Sequence, residues 1–220
     1  MGMKRYVVEL SSKKCEDWLL NKHYLKRLPA IIYAFGLVID EKIEGICTFS
    51  NAVARFDLSV QPYELSRLVM NEPIEKNSLS WFLSNSLNLI KNPHIIVSYA
   101  DENQGHHGYI YQATNWMYTG RSSKESKYFI DGKEIHRRSL YSRYGTSSLP
   151  ALEKMGHTIT FDTQVGKHRY FQVTGTKKEK RELRKELEGK YEILPYPKGE
   201  NKRYDASYDP NQHFKINTFW

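Results

Sequence analysis

The sequence predicts one α/β domain in which helices flank a mixed, mostly antiparallel central sheet. Two observations support this prediction. With 220 residues, of which 40% are hydrophobic, the chain is long enough to bury one sizeable core and too short for two full domains. Short apolar runs rich in β-branched residues alternate with segments whose apolar residues recur at helical spacing. This order is typical of a sheet covered by helices.

The first half of the chain predicts most of the sheet. Its apolar runs are bounded by turn residues, and they span residues 5–10, 31–39, 43–49, 63–70 and 94–100. A helix capped by Ser11 or Ser12 lies between the first two runs. A second helix begins at Asn77 or Ser78, between the last two runs. We expect the runs to form neighbouring strands and the helices to cover them.

A third predicted helix follows the strand that ends beside Asp101. Four side chains recur at helical spacing on one face of this helix, namely His107, Tyr111, Asn115 and Tyr118. In an open α/β sheet, ligands bind beyond the carboxyl ends of the strands. The segment SYADENQGHHG is therefore the predicted position of the chemistry.

The second half of the chain is richer in charged and β-prone residues. It predicts a hairpin around Asp131-Gly132, a helix over 149–156, a second hairpin within 157–175 that turns near Val165-Gly166, and a charged helix over 177–190 with a solvated face. We assign residues 1–120 to the core. Residues 121–220 then form a β-rich and helical C-terminal extension of the same domain.

Composition limits the compartment and the partners. The apolar runs are too short for the roughly 20 residues of a bilayer crossing, and no apolar signal-peptide core follows Met1 to Tyr6, so we expect a soluble protein that is not exported. Cys15 and Cys47 lack the clustering of a zinc site or disulfide framework, which predicts reduced core residues. The formal charge of +8 favours polyanionic partners.

The element order is compatible with a transferase that uses an acyl-CoA cofactor, and this indicates a second place for binding. The pyrophosphate of such a cofactor needs backbone N–H groups at a helix N-terminus, here the helix that begins near Ser78. Lys76, Ser78 and Ser80 offer charge and hydroxyl donors for phosphate groups. Arg67 can reach the same phosphates or a carboxylate. A capped helix with a surface ion pair explains these residues equally well.

Four separated segments carry a family resemblance. They are HYLKRLP, ELSRL, SLSWFLSNS and SYADENQGHHGYIYQATNWMY, and together they cover roughly residues 20–120. As a set they resemble the Mom family of phage enzymes that modify adenine in DNA and have a GNAT-like, acyltransferase-like fold. The resemblance implies conversion of the exocyclic amino group of adenine to a carbamoylmethyl-type adduct, which protects DNA against restriction. The implied partner is double-stranded DNA, and the implied location is the cytoplasm of a bacterial host cell.

The resemblance also implies cofactors and site residues. It implies acetyl-CoA or a related acyl donor, together with iron. It places active-site groups at four positions, which are His23, Tyr24, Asp101 and Tyr111. Arg67, Ser78 and Ser86 match the cofactor side.

Two kinds of chemistry remain open for these residues. His23 and Asp101 are suitable ligand types for a non-haem iron. Alternatively, Asp101 takes a proton from the adenine amino group while Tyr24 or Tyr111 donates one. His106 and His107 are further candidate bases, which we rank below Asp101.

Basic residues interleaved with tyrosines predict the surface that binds DNA. An enzyme that acts on a base inside a duplex must extrude it, so it needs phosphate contacts and flat side chains for stacking. The residues that fit this requirement are Arg137, Arg138, Tyr141, Arg143, Lys167 and Arg169. Charged strand edges that protect against aggregation have the same composition.

Two other functions remain alternatives. A conventional GNAT-type N-acetyltransferase would use the same cleft for an amine on a small molecule or a protein. The segment NEPIEKNSLSW, which stands where many GNAT enzymes carry a Gly-rich loop, argues modestly against it. A DNA-binding protein without catalytic activity is the third possibility.

Overall fold

A seven-stranded sheet forms the centre of the fold. The computed structural model describes residues 4–72, 75–135 and 139–199, together with Tyr208, Pro210 and Gln212. The strands of the large sheet, numbered in chain order, are β1 (Arg5–Glu9), β2 (Tyr33–Ile39), β3 (Lys42–Asn51), β4 (Tyr63–Met70), β5 (Ile95–Ala100), β6 (Met117–Arg121) and β10 (His168–Val173). They lie in the order β1-β2-β3-β4-β5-β10-β6. Among the described strands of this sheet, only β4 and β5 pair in parallel, so the predicted mixed, mostly antiparallel sheet is confirmed.

Helices cover both faces of this sheet. They are α1 (Ser12–Asp17), which continues as a π-helical turn (Trp18–Lys22), α2 (Ser78–Asn88), α3 (Tyr109–Ala113) and α6 (Lys177–Lys190). Phe82 of α2 and Tyr111 of α3 pack on one face with Tyr170. Leu187 of α6 packs with Phe171 on the opposite face, because neighbouring residues of a strand point to opposite sides.

The two cysteines are core residues, as predicted. Cys15 belongs to α1 and packs on one face of the sheet. Cys47 belongs to β3 and lies in the hydrophobic cluster on the other face. Both are free and buried, and burial raises the pKa of each thiol to about 12. Within the described part of the chain, no helix is both long and apolar enough to span a membrane.

A second, smaller sheet is inserted between β6 and β10. Its strands are β7 (Glu125–Ile130), β8 (Lys133–Ile135) and β9 (Ile159–Gln164). Two short helices, α4 (Leu140–Tyr144) and α5 (Leu149–Lys154), accompany it. Ile130, Leu140 and Leu152 are buried in a core separate from that of the large sheet. The predicted hairpin around Asp131-Gly132 is confirmed by the pairing of β7 with β8.

A narrow neck joins this insertion to the large sheet. The Ser122 N–H donates to the Lys167 carbonyl at 2.8 Å, and the Lys167 N–H donates to Ser122 Oγ at 3.0 Å. A Cβ atom at Gly166 would overlap the Ser122 carbonyl oxygen. The close approach of the two chain segments therefore requires glycine at position 166.

Two sequence predictions were wrong. The helix after Asp101 ends at Ala113, and Asn115 adopts a positive φ of 56°, which Asn tolerates better than most residues. Tyr118 therefore lies on β6, so His107, Tyr111, Asn115 and Tyr118 do not share a helical face.

The second correction concerns the hairpin predicted within 157–175. β9 pairs with β7 in the small sheet, whereas β10 pairs with β5 and β6 in the large sheet. The turn-like Val165-Gly166 lies at the neck and leads from one sheet to the other. Part of the chain after residue 120 therefore belongs to the central sheet.

Candidate active site

The parallel strands β4 and β5 separate along their length. Their described register contains two residue pairs, Tyr63 with Ile96 and Glu64 with Val97. Farther along, a side chain bridges the strands, because Ser98 Oγ donates to the Leu65 carbonyl at 3.0 Å. The Tyr111 hydroxyl lies 2.8 Å from the same Oγ. The carboxyl-terminal halves of β4 and β5 thus border an opening that α3 closes from one side.

The predicted site residues meet around this opening. Tyr24 stacks on His23, with 4.5 Å between ring centroids. It also meets the edge of His106, at 6.1 Å. The charge of Asp101 affects the pKa of both Tyr24 and His106, and the charge of Arg67 affects those of His23 and Tyr24. Residues far apart in the sequence therefore form one polar cluster.

Arg67 brings a buried positive charge to the cluster. Its residue is 9% exposed, and its Nη1 donates to the Ser66 carbonyl at 2.6 Å. Its Nε has no hydrogen-bond partner among the described residues. Burial lowers the pKa of Arg67, yet a guanidinium stays protonated in proteins. Among the described residues no acidic side chain forms an ion pair with Arg67, although the charge of Glu64 lies near enough to affect its pKa. A buried charge without a paired counter-ion is costly, so Arg67 is suited to bind an anionic group.

His23 is neutral and has a defined tautomer. Burial, reinforced by the charges of Arg67 and His106, lowers its pKa to about 3. Its Nδ1 accepts from the Leu25 N–H at 3.2 Å, so the proton of the neutral ring is on Nε2. This tautomer offers no lone pair on Nε2 to a metal. The described ring therefore does not fit the role of a metal ligand. Iron binding by His23 and Asp101 stays a prediction.

The cluster contains both proton donors and proton acceptors. Burial, followed by the charge of Asp101, raises the pKa of Tyr24. Burial raises the pKa of Tyr111 to about 12. Burial lowers the pKa of His106, against the opposing effect of Asp101. At neutral pH the two tyrosines can donate protons, whereas the neutral imidazole of His106 and the carboxylate of Asp101 can accept them.

A short turn fixes Asp101. Its Oδ1 accepts from the Asn103 N–H at 3.0 Å and caps the 3₁₀ turn Glu102–Gln104. The loop then reaches Gly108, whose φ is +82° and which begins α3. The Asp101 carboxylate is therefore held by its own backbone at the carboxyl end of β5, as the sequence predicted.

The serines assigned to the cofactor side differ in their contacts. Ser86 Oγ donates to the Phe82 carbonyl at 2.9 Å, and Ser80 Oγ donates to the Asn77 carbonyl at 3.0 Å. Ser78 is 2% exposed, and its Oγ has no partner among the described residues. Of the three serines, Ser78 retains a hydroxyl that a ligand can use.

Those of the predicted DNA-binding residues that the structure describes differ in their exposure and contacts. Tyr141, on α4, is 70% exposed. Arg143, on the same helix, is also exposed. Arg169, by contrast, donates to the Thr119 hydroxyl and carbonyl at 2.9 and 3.1 Å, so its guanidinium serves the fold. Lys167 is half-buried at the neck. Arg137 and Arg138 lie outside the described residues.

Sequence reasoning missed a basic face on α6. Five cations and one carboxylate line a shallow surface there, namely Lys177, Lys180, Arg181, Arg184, Lys185 and Glu188. Two other acidic residues of the helix are used within the fold. Glu179 closes the capping box with Thr176, and Glu186 accepts from the N–H and hydroxyl of Ser59. Helical spacing of the cations was the signal that identifies this face.

Sequence reasoning also missed a group of side chains with the chemistry of metal ligands. Among the described residues, one group of three has ligand atoms within 4.8 Å of one another, and it consists of Glu102, His107 and His168. Glu102 and His107 follow Asp101 and His106 directly in the sequence. His168 comes from β10, which was predicted in a different pairing, so no local pattern indicated that these three residues lie close together.

Comparison with known proteins identifies the family. No curated protein matched the chain. The family model described as the Mom protein family matches residues 4–198, a range that contains every residue of the polar cluster and the whole inserted sheet. The chain therefore belongs to the Mom protein family.

Proposed function

We propose that this chain is a phage-type DNA modification enzyme that converts the exocyclic amino group of adenine to a carbamoylmethyl-type adduct and so protects DNA against restriction. Membership of the Mom family supports DNA modification. The observation that carries the proposal is the polar cluster of Tyr24, Arg67, Asp101 and His106 at the opening between β4 and β5.

The opening suits the donor as well as the base. The carbamoylmethyl adduct joins the adenine nitrogen to the methylene carbon next to a carbonyl group. The donor, an acyl compound related to acetyl-CoA, must therefore carry a leaving group on that carbon, and ammonia must displace its thiol to complete the amide. We place the donor between the separated halves of β4 and β5, because their unpaired edges and the unpartnered Ser78 hydroxyl offer hydrogen bonds. Arg67 binds an anionic group of the donor or the oxygen that gains negative charge during transfer.

The remaining cluster residues move protons. The adenine amino nitrogen must lose a proton as it forms its new bond, and the Asp101 carboxylate accepts that proton. Tyr24, protonated and beside Asp101, donates a proton to the group that leaves. Tyr111 holds the wall of the opening through its contact with Ser98.

The adenine has to leave the duplex to reach this cluster. The formal charge of +8 supports binding to the phosphate backbone. Exposed Tyr141 and Arg143 on α4 combine a stacking surface with a cation. We therefore assign the inserted sheet and α4 to the grip on DNA.

Mass spectrometry of nucleosides from plasmid DNA of expressing cells tests this function. Wild-type protein should produce a heavier deoxyadenosine whose mass identifies the adduct. Asp101→Asn should abolish it, because the amide keeps an oxygen for the Asn103 N–H but cannot accept the amino proton. Asp57→Asn is the control, since the Asp57 carboxylate is exposed and pairs with Lys190 Nζ of α6, outside both the polar cluster and the inserted sheet.

Two outcomes would count against the proposal. Modification that persists in Asp101→Asn would remove Asp101 from the chemistry. Unmodified nucleosides with wild-type protein, combined with acetylation of amines in the absence of DNA, would instead support an N-acetyltransferase that uses the same opening.

A further inference from the structure

The loop between β5 and α3 faces two sides. Asp101 and His106 belong to the polar cluster at the opening. Glu102 directly follows Asp101, and His107 directly follows His106. Both approach His168 at the start of β10. The three ligand atoms of this second group lie within 4.8 Å of one another.

His168 is the buried member of this group. It is 2% exposed, and its Nδ1 lies 2.8 Å from the Tyr118 hydroxyl. Its Nε2 has no hydrogen-bond partner among the described residues and lies 3.9 Å from Glu102 Oε2. A buried ring nitrogen without a partner requires an explanation, since such groups are rare in folded proteins.

We propose that Glu102, His107 and His168 bind one divalent first-row transition-metal ion. Two imidazoles and one carboxylate are a ligand set that zinc and ferrous iron accept, with further positions left for water. The Tyr118 oxygen can accept from Nδ1–H of His168, which leaves the Nε2 lone pair for the ion. A hydrogen bond of this kind to the second ring nitrogen orients most histidine ligands of metals.

Binding requires a small adjustment. Metal–ligand bonds of about 2.0–2.2 Å bring ligand atoms to roughly 3–3.5 Å from one another, so the group must contract. Glu102 can move, because its side chain is 32% exposed and its present partner Arg121 is 41% exposed. The ion replaces Arg121, which lies 2.5 Å from Glu102 Oε2, as the counter-charge of this carboxylate.

The position of the ion defines its role. It joins the loop to β10 while leaving Asp101 and His106 on the other side of the same loop. The ion is therefore a positioning element for the polar cluster and does not contact the reacting atoms. Its binding does not depend on the proposed DNA modification, so the two proposals can fail separately.

This site is tested by titrating untagged, EDTA-treated full-length protein with zinc chloride and measuring the heat of binding by calorimetry. The visible absorption of the cobalt(II) complex gives a second measurement. Wild-type protein should bind one equivalent and unfold at a higher temperature with zinc. Glu102→Gln should lose this binding. Tyr118→Phe should weaken it about 10- to 100-fold, as expected for a residue that orients a ligand.

His157→Gln is the matched control, because His157 also contacts a carboxylate, that of Asp131 at 2.8 Å, but lies in the small sheet. This variant should bind zinc like the wild type. His168→Gln adds a second ligand variant, and circular dichroism shows whether it remains folded. Wild-type protein that binds no zinc, or Glu102→Gln that binds it with unchanged affinity, would overturn the proposal.

Discussion

His23 makes the stability of the protein depend on pH in a way that can be calculated. Burial lowers its pKa from 6.5 to about 3 in the folded state. As the pH falls below 6.5, the unfolded chain binds a proton that the folded chain does not bind, so stability is lost. Each pH unit in this range costs about 1.4 kcal/mol. Between pH 7 and pH 5, His23 alone therefore costs about 2 kcal/mol, a large part of the 5–15 kcal/mol typical of a folded domain.

Urea denaturation at pH 7 and pH 5 measures this loss, and a variant isolates it. His23→Asn removes the titrating ring while its side-chain oxygen can still accept from the Leu25 N–H. Other groups titrate equally in both proteins, so their contribution cancels in the comparison. The variant should lose about 2 kcal/mol less than the wild type between the two pH values. Equal losses in the two proteins would refute the reasoning that His23 is buried and neutral.

Three further predictions concern the loop, the buried cation and DNA. Gly108→Ala should lower the free energy of unfolding in urea by about 2–5 kcal/mol. The φ angle of Gly108 is +82°, and a Cβ atom there would lie 2.5 Å from the Tyr170 ring. Gly132→Ala, with φ +76° and open space, should cost only about 1–2 kcal/mol. Arg67→Lys keeps the charge but loses the planar fork, and calorimetry with acetyl-CoA should show at least roughly tenfold weaker binding. Arg143→Ala should lower the salt dependence of DNA binding by about one ion, and an unchanged slope would place DNA elsewhere.

Local patterns in the sequence were sufficient to predict most elements of the large sheet. The run YELSRLVM coincides with β4 (Tyr63–Met70), because alternating and β-branched residues suit a strand wherever it pairs. The position of Asp101 directly after a buried strand was also predictable, and the carboxyl end of such a strand is a common place for a ligand. Both predictions depend on local physical rules.

Pairing between distant segments was not predictable in the same way. Val165-Gly166 has the composition of a hairpin turn, but Gly166 is there because the Ser122 carbonyl leaves no room for a side chain. That constraint comes from a segment more than forty residues earlier in the chain. The position of His168 beside Glu102 depends on the same pairing, so the proposed metal site could not be predicted without the fold.

The loop from Asp101 to Gly108 explains how one short segment can serve two sites. The Tyr170 hydroxyl donates to the His107 carbonyl at 2.5 Å, and the ring of Tyr170 lies against Gly108. The loop is thus attached to β10 through its backbone, and an ion at Glu102, His107 and His168 would add a side-chain link to the same strand. In the proposed reaction, proton transfer to Asp101 requires placement within hydrogen-bond reach of the amino group, while the extruded base would arrive from a mobile duplex. A fixed loop meets that requirement because only the base then has to move.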